Sequence, residues 1–194
     1  MKTTKSPKPS NRPSIRTVGV SISPNGEAFP LPKPEDYAKE FKRLQKLVAA
    51  QRKEGREIVV VMGLGFVGAV MAGVVADSKV KPTSSIHHLP STKAPSPVTP
   101  YPLLRYPKFV IGVQRPSTRS YWKIPLLNRG IAPVEAEDPE VAPMIARCVK
   151  DKKTLIATYT EDALTLADCV VVDVQCDYFK ETLGNCRQGH AEIA

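Results

Sequence analysis

The chain has 194 residues, 42% of them hydrophobic, which suits one medium domain with a sizeable core. Its formal charge is +9, but residues 1–57 hold 13 Lys and Arg against 6 Asp and Glu, leaving 15 against 13 for residues 58–194. The nearly neutral remainder argues against a nucleic-acid-binding module, which would carry a basic face on its folded part.

Seven of the 19 prolines lie in residues 1–34. Residues 1–33 are rich in Pro, Ser and Lys and are expected to form a disordered basic tail. The tail contains no continuous apolar run, so it does not read as a secretory signal. Residues 34–56 then read as an amphipathic helix. Pro34, Glu35 and Asp36 open it, a basic stretch before Gly55 closes it, and Tyr37, Phe41, Leu44 and Val48 form one stripe suited to docking on the domain.

The segment Ile58–Ala76, "IVVVMGLGFVGAVMAGVVA", has no charged side chain and is nearly long enough to span a bilayer. Gly65, Ala69 and Gly73 even repeat at the spacing that brings membrane helices together. Its internal order favours a different fold. The β-branched run Ile58–Val61 suits a strand buried on both faces, and G-x-G-x-x-G follows at Gly63, Gly65 and Gly68. That spacing suits a tight turn, close approach of a pyrophosphate and close helix–strand packing, with the phosphate at the helix N-terminus.

Residues 79–107 hold another seven prolines and read as an exposed insertion. The adjacent His87 and His88 within it have no carboxylate or thiol cluster beside them, so no metal site is expected. Residues 108–114 form a second strand candidate. Residues 117–130 look helical, with Pro125 expected to disturb the middle. Residues 138–153 form a helix candidate with Asp138 as N-cap and Pro139 in the first position. A short strand at 154–160, a short helix at 161–167 and an apolar strand at 168–175 complete the pattern. Strands alternating with helices imply an α/β, Rossmann-type, mostly parallel sheet, and no membrane span.

Cys148, Cys169, Cys176 and Cys186 show neither C-x-x-C nor zinc-like spacing and read as reduced thiols of a cytoplasmic protein, with Cys148 and Cys169 in the core.

Taken in order, "IVVVMGLGFVG", "FVIGVQ", "LLNRGIAPVEAEDPEVAPMI" and "TLIATYTEDALTLADCVVVDV" resemble the UDP-glucose/GDP-mannose dehydrogenase family, in its N-terminal NAD-binding domain. The resemblance covers residues 57–178. It implies a nicotinamide cofactor, NAD with NADP possible, held at Gly63, Gly65, Phe66, Val67 and Gly68. It places Gln114 where the family has an Asp on the adenosine ribose, Arg119 at a basic position beside the adenosine with Arg115 nearby, and Val174, Gln175 and Cys176 at a turn beside the cofactor. Family members oxidise the C6 hydroxyl of a nucleotide sugar to a carboxylate through a cysteine thiohemiacetal. The family's G-G-x-C-x-x-K-D motif does not occur in these residues, so none of the four cysteines is assigned as nucleophile and no catalytic residue is expected. The expected sheet is accordingly incomplete, a first mononucleotide-binding half with an N-terminal helix, and residues 179–194 read as a truncated C-terminal segment. Two functions fit. One is the NAD-binding portion of a nucleotide-sugar dehydrogenase, inactive alone and open to association or homo-oligomerisation through the missing half. The other is a non-catalytic, stand-alone dinucleotide-binding module.

Overall fold

The computed structural model describes residues 19–78, 107–173, 176–179 and 190–193. At its centre four parallel strands lie side by side: β3 (Glu57–Met62), β4 (Lys108–Val113), β5 (Leu155–Thr158) and β6 (Cys169–Val172). Their order across the sheet is β5-β4-β3-β6. Numbered within the sheet this is 3-2-1-4, the order with which a Rossmann sheet begins. The expected α/β architecture is therefore present.

The unbroken apolar run in β3 follows from helices on both faces of the sheet. Val59 and Val61 point into one core with Ala72 and Ala76 of α2 (Phe66–Asp77) and with Val141, Ile145 and Cys148 of α4 (Val141–Lys150). Ile58 and Val60 point the other way, toward Leu44 and Val48 of α1 (Pro34–Lys53) and Ala163 of a 3₁₀ turn, Glu161–Leu166. The stripe on α1 thus docks on the sheet. Pro34 stands in its first turn, and the Asp36 carboxylate accepts the Lys33 N–H at 3.0 Å. Gly55, at φ +73°, turns the chain out of that helix.

Small residues on α2 serve helix packing within this domain. A side chain at Gly73 would come within 2.7 Å of Met144 Cε on α4. No helix among the described residues is long and apolar enough to cross a membrane. Ile58–Ala76 is strand, loop and helix.

Several expectations need correction. Residues 19–32 belong to the supposed disordered tail, yet Val20–Ile22 (β1) and Ala28–Pro30 (β2) pair as an antiparallel hairpin. Its turn carries Asn25-Gly26, with Gly26 at φ +81°, the conformation glycine tolerates best. Ser21 and Phe29 are buried beneath it; the Ser21 hydroxyl accepts the Trp122 N–H at 3.1 Å, and Arg129 binds Glu27 while lying over the Phe29 ring.

The single helix expected over 117–130 is a run of turns followed by α3 (Lys123–Asn128). Pro125 falls in the first turn of α3, where its missing N–H has no intrahelical partner to lose, so it does not break the helix. The helix expected from Asp138 begins at Val141. Asp138 still acts as a cap of the preceding turn, its carboxylate accepting the Glu140 N–H at 2.9 Å.

Cys148 is in the core, whereas Cys169 is exposed, because β6 is the terminal strand of this sheet. That strand also stops at Val172, short of the expected Gln175. Beyond it, Cys176–Phe179 (β7) and His190–Ile193 (β8) pair antiparallel as a separate two-stranded sheet. The expected 79–107 insertion, apart from Pro107, lies outside the described residues, as do Val174 and Gln175.

Candidate functional site

The carboxyl ends of β3 and β4, the amino end of α2 and the residue that follows β6 meet at the glycine loop. In a 3-2-1-4 sheet this is the switch point, where the order reverses between the first and fourth strands and ligands enter.

Gly63 leaves β3 at φ +97°, and a Cβ on it would collide with the Asp173 carbonyl. A Cβ on Gly68 would collide with the Gly63 carbonyl. These two glycines are therefore required by packing. Gly65 differs: it has φ −72°, is the N-cap of α2, and a Cβ there would meet only Asp173 Oδ2, at 3.8 Å. Its emptiness serves no internal contact. That is the property expected of a glycine that makes room for a ligand.

The first bond of the helix runs from the Ala69 N–H to the Gly65 carbonyl at 3.1 Å. The amides of Phe66, Val67 and Gly68 precede it and have no intrahelical acceptor. With the helix dipole behind them, amides so placed are able to receive an anion. The Phe66 and Val67 side chains are more than half exposed at the rim and, with Val70, Met71 and Val74, line an apolar groove of about 500 Å³.

The loop is held from several sides. Gly63 N–H donates to the Val113 carbonyl at 2.9 Å. Leu64 is fully buried and fills the space that a side chain at Gly112 would need, its Cδ2 lying 2.6 Å from that position. This explains the glycine in "FVIGVQ". Gln114 Oε1 accepts the Leu64 N–H at 2.9 Å, while its Nε2 donates to Ser120 Oγ at 3.3 Å. The residue expected to face the ribose thus has both polar ends engaged within the protein, one on the loop and one on Ser120. Lys123 Nζ donates to the Leu64 carbonyl at 3.0 Å, and burial lowers the pKa of its ammonium group.

Arg115 and Arg119 are both exposed beyond the end of β4. Arg115 lines a cavity of about 410 Å³ with Tyr37, Tyr159, Thr160, Glu161 and Asp162, over the ends of β4 and β5. Burial, with help from the Glu40 carboxylate, pushes the Tyr159 phenol up to about 12, so it stays a neutral donor to the Asp36 carbonyl at 3.2 Å. Of the turn expected beside the cofactor, only Cys176 is described, and its backbone, in β7, pairs with Ile193 of β8.

Sequence inspection missed Lys123 and Asp173. Lys123 is an isolated cation in an apolar helical stretch, and Asp173 an acid closing an apolar strand. Each breaks its local pattern, which was the available signal.

The remaining family-like motifs are structural. Asn128 of "LNRG" pairs with both main-chain groups of Ala157, accepting its N–H at 2.7 Å and donating to its carbonyl at 3.0 Å. It occupies the free edge of β5 as another strand would. Asp168 of "LADC" accepts the Ile58 N–H at 2.8 Å and pairs with Arg52. Among the described residues no group of three or more His, Cys, Asp or Glu is placed to hold a metal ion.

Among solved structures, the chain is similar to NDP-N-acetyl-D-galactosaminuronic acid dehydrogenase from Methanosarcina mazei Go1. The identity is 25% and the TM-score 0.46, over 71% of this chain and 23% of that one. The chain thus spans less than a quarter of that protein's length. No family model and no curated protein matches it.

Proposed function

We propose that this chain binds a nicotinamide dinucleotide at the Gly63–Gly68 loop and is the cofactor-binding portion of a nucleotide-sugar dehydrogenase. The observation that carries the binding proposal is the state of Gly65, an open N-cap followed by amides that have no intrahelical acceptor, at the switch point of a 3-2-1-4 sheet. The dehydrogenase assignment rests on the order of the four motifs along the sequence.

The diphosphate would take the amides of Phe66, Val67 and Gly68. The adenosine would extend past Gln114 toward the cavity lined by Arg115 and Thr160. NAD is the expected cofactor, and when bound it supplies the hydride acceptor for oxidising the C6 hydroxyl of a UDP- or GDP-sugar. The protein's part is to fix the dinucleotide against the sheet end. The resemblance and the reduced thiols support a cytoplasmic location.

Calorimetric titration of NAD into the protein and its Gly65→Val variant tests the binding site. Because the loop has room for a side chain at this position, the variant should fold with little change in Tm and lose NAD binding. Equal affinity in the two proteins would place the cofactor elsewhere. Absence of binding to the unmodified chain would reject the proposal.

A further inference from the structure

Asp173 lies at the mouth of the glycine loop, directly after β6. Its main chain is fixed there: its N–H donates to the Met62 carbonyl at 2.8 Å, and its own carbonyl fills the space beside Gly63. From that anchor the side chain reaches across the start of α2. Its Oδ2 lies 2.8 Å from the place a Cβ on Gly68 would occupy and 3.8 Å from the corresponding place on Gly65. These are the third residue and the N-cap of the helix whose opening amides are able to receive an anion.

A carboxylate here already gives the positive end of α2 a negative charge. A phosphate brought to the same amides meets that charge at short range, in a crevice less well screened than open water. Among the described residues no cation pairs directly with this carboxylate; the Lys123 ammonium keeps its charge but is directed at the Leu64 carbonyl, at 3.0 Å.

We propose that Asp173 is a specificity-determining residue of this loop, an internal anion that competes with a bound diphosphate and holds dinucleotide affinity below what the glycine loop alone would give. The inference rests on the dinucleotide-binding proposal and deepens it. The penalty falls on ligands that place phosphate on the loop. It spares an uncharged nucleoside, which would use only the distant cavity near Arg115.

The test titrates NAD and adenosine into the full 194-residue chain and its Asp173→Asn variant. Asparagine keeps the shape and removes the charge. NAD should bind the variant at least about tenfold more tightly, while adenosine binding stays unchanged. Asp173→Ala should act in the same direction. Equal or weaker NAD binding by both variants, with the unmodified chain still binding NAD, would overturn the role of Asp173 and leave the dinucleotide site standing. An equal gain for NAD and adenosine would also overturn it, because loosened packing does not distinguish ligand charge. If no form of the protein binds NAD, the site itself is wrong and this inference falls with it.

Discussion

At the scale of single residues, Gln114 changes the expectation for cofactor choice. An Asp at this position would hold the ribose and repel a 2′-phosphate. The glutamine instead spends both ends on Leu64 and Ser120, and the exposed Arg115 and Arg119 leave positive charge nearby. NAD and NADP should therefore bind with affinities within about tenfold of each other, a difference of about 1.4 kcal/mol. Gln114→Asp should shift the ratio toward NAD by adding a repelling carboxylate. Competition titrations with the two cofactors check this, and a hundredfold preference for NAD in the unmodified chain would show that other groups discriminate. Roles of this kind were only partly legible in the sequence. The spacing of Gly63, Gly65 and Gly68 marked the loop, but the partners of Gln114, Lys123 and Asp173 are made by folding, across separations such as the 59 residues between Lys123 and Leu64.

At the scale of elements, α2 is fixed at its carboxyl end by Asp77. That carboxylate receives two bonds from Arg147, at 2.9 and 2.8 Å, and one from Lys152 at 2.7 Å. The Arg147 guanidinium, more than Lys152, holds the Asp77 carboxyl well below the usual carboxylate range. A carboxyl depressed in the folded state contributes stability above its unfolded pKa of about 3.9, and that contribution is lost as pH falls through the folded value. Asp77→Asn should accordingly lower stability near neutral pH by about 1 kcal/mol, allowing for solvent screening. The gap between the two proteins should narrow below about pH 4. Urea melts at pH 7 and at low pH measure it; a gap that widened in acid would contradict the assignment. The elements themselves were legible where burial was two-sided, as in β3 and α2. The β1–β2 hairpin was hidden by the Pro- and Ser-rich composition around it, although Asn25-Gly26 between short alternating segments is a hairpin signal. Likewise, Pro125 suggested a disturbed helix but sits in the first turn of α3.

At the scale of the whole molecule, the parallel sheet sets the glycine loop at the carboxyl ends of its strands, and the cavity lined by Arg115 lies over the ends of β4 and β5. Hydride transfer additionally requires a substrate carbon held against the nicotinamide. The 194 residues contain no G-G-x-C-x-x-K-D motif, and Cys148 is buried with its thiol pushed up to about 11, chiefly by burial, which makes it a poor nucleophile. The purified chain should therefore release no NADH from UDP-glucose, UDP-N-acetylsugars or GDP-mannose. Measurable turnover on any of them would locate catalytic residues within this sequence.

The central claim is that a diphosphate sits on the amides opening α2. An amide-resolved NMR titration with NAD addresses it most directly, because those amides are themselves the proposed ligands. The largest shifts should fall on Gly65, Phe66, Val67 and Gly68, with smaller ones at Gln114 and Arg115. Saturable binding that moves other amides and leaves these four in place would contradict it.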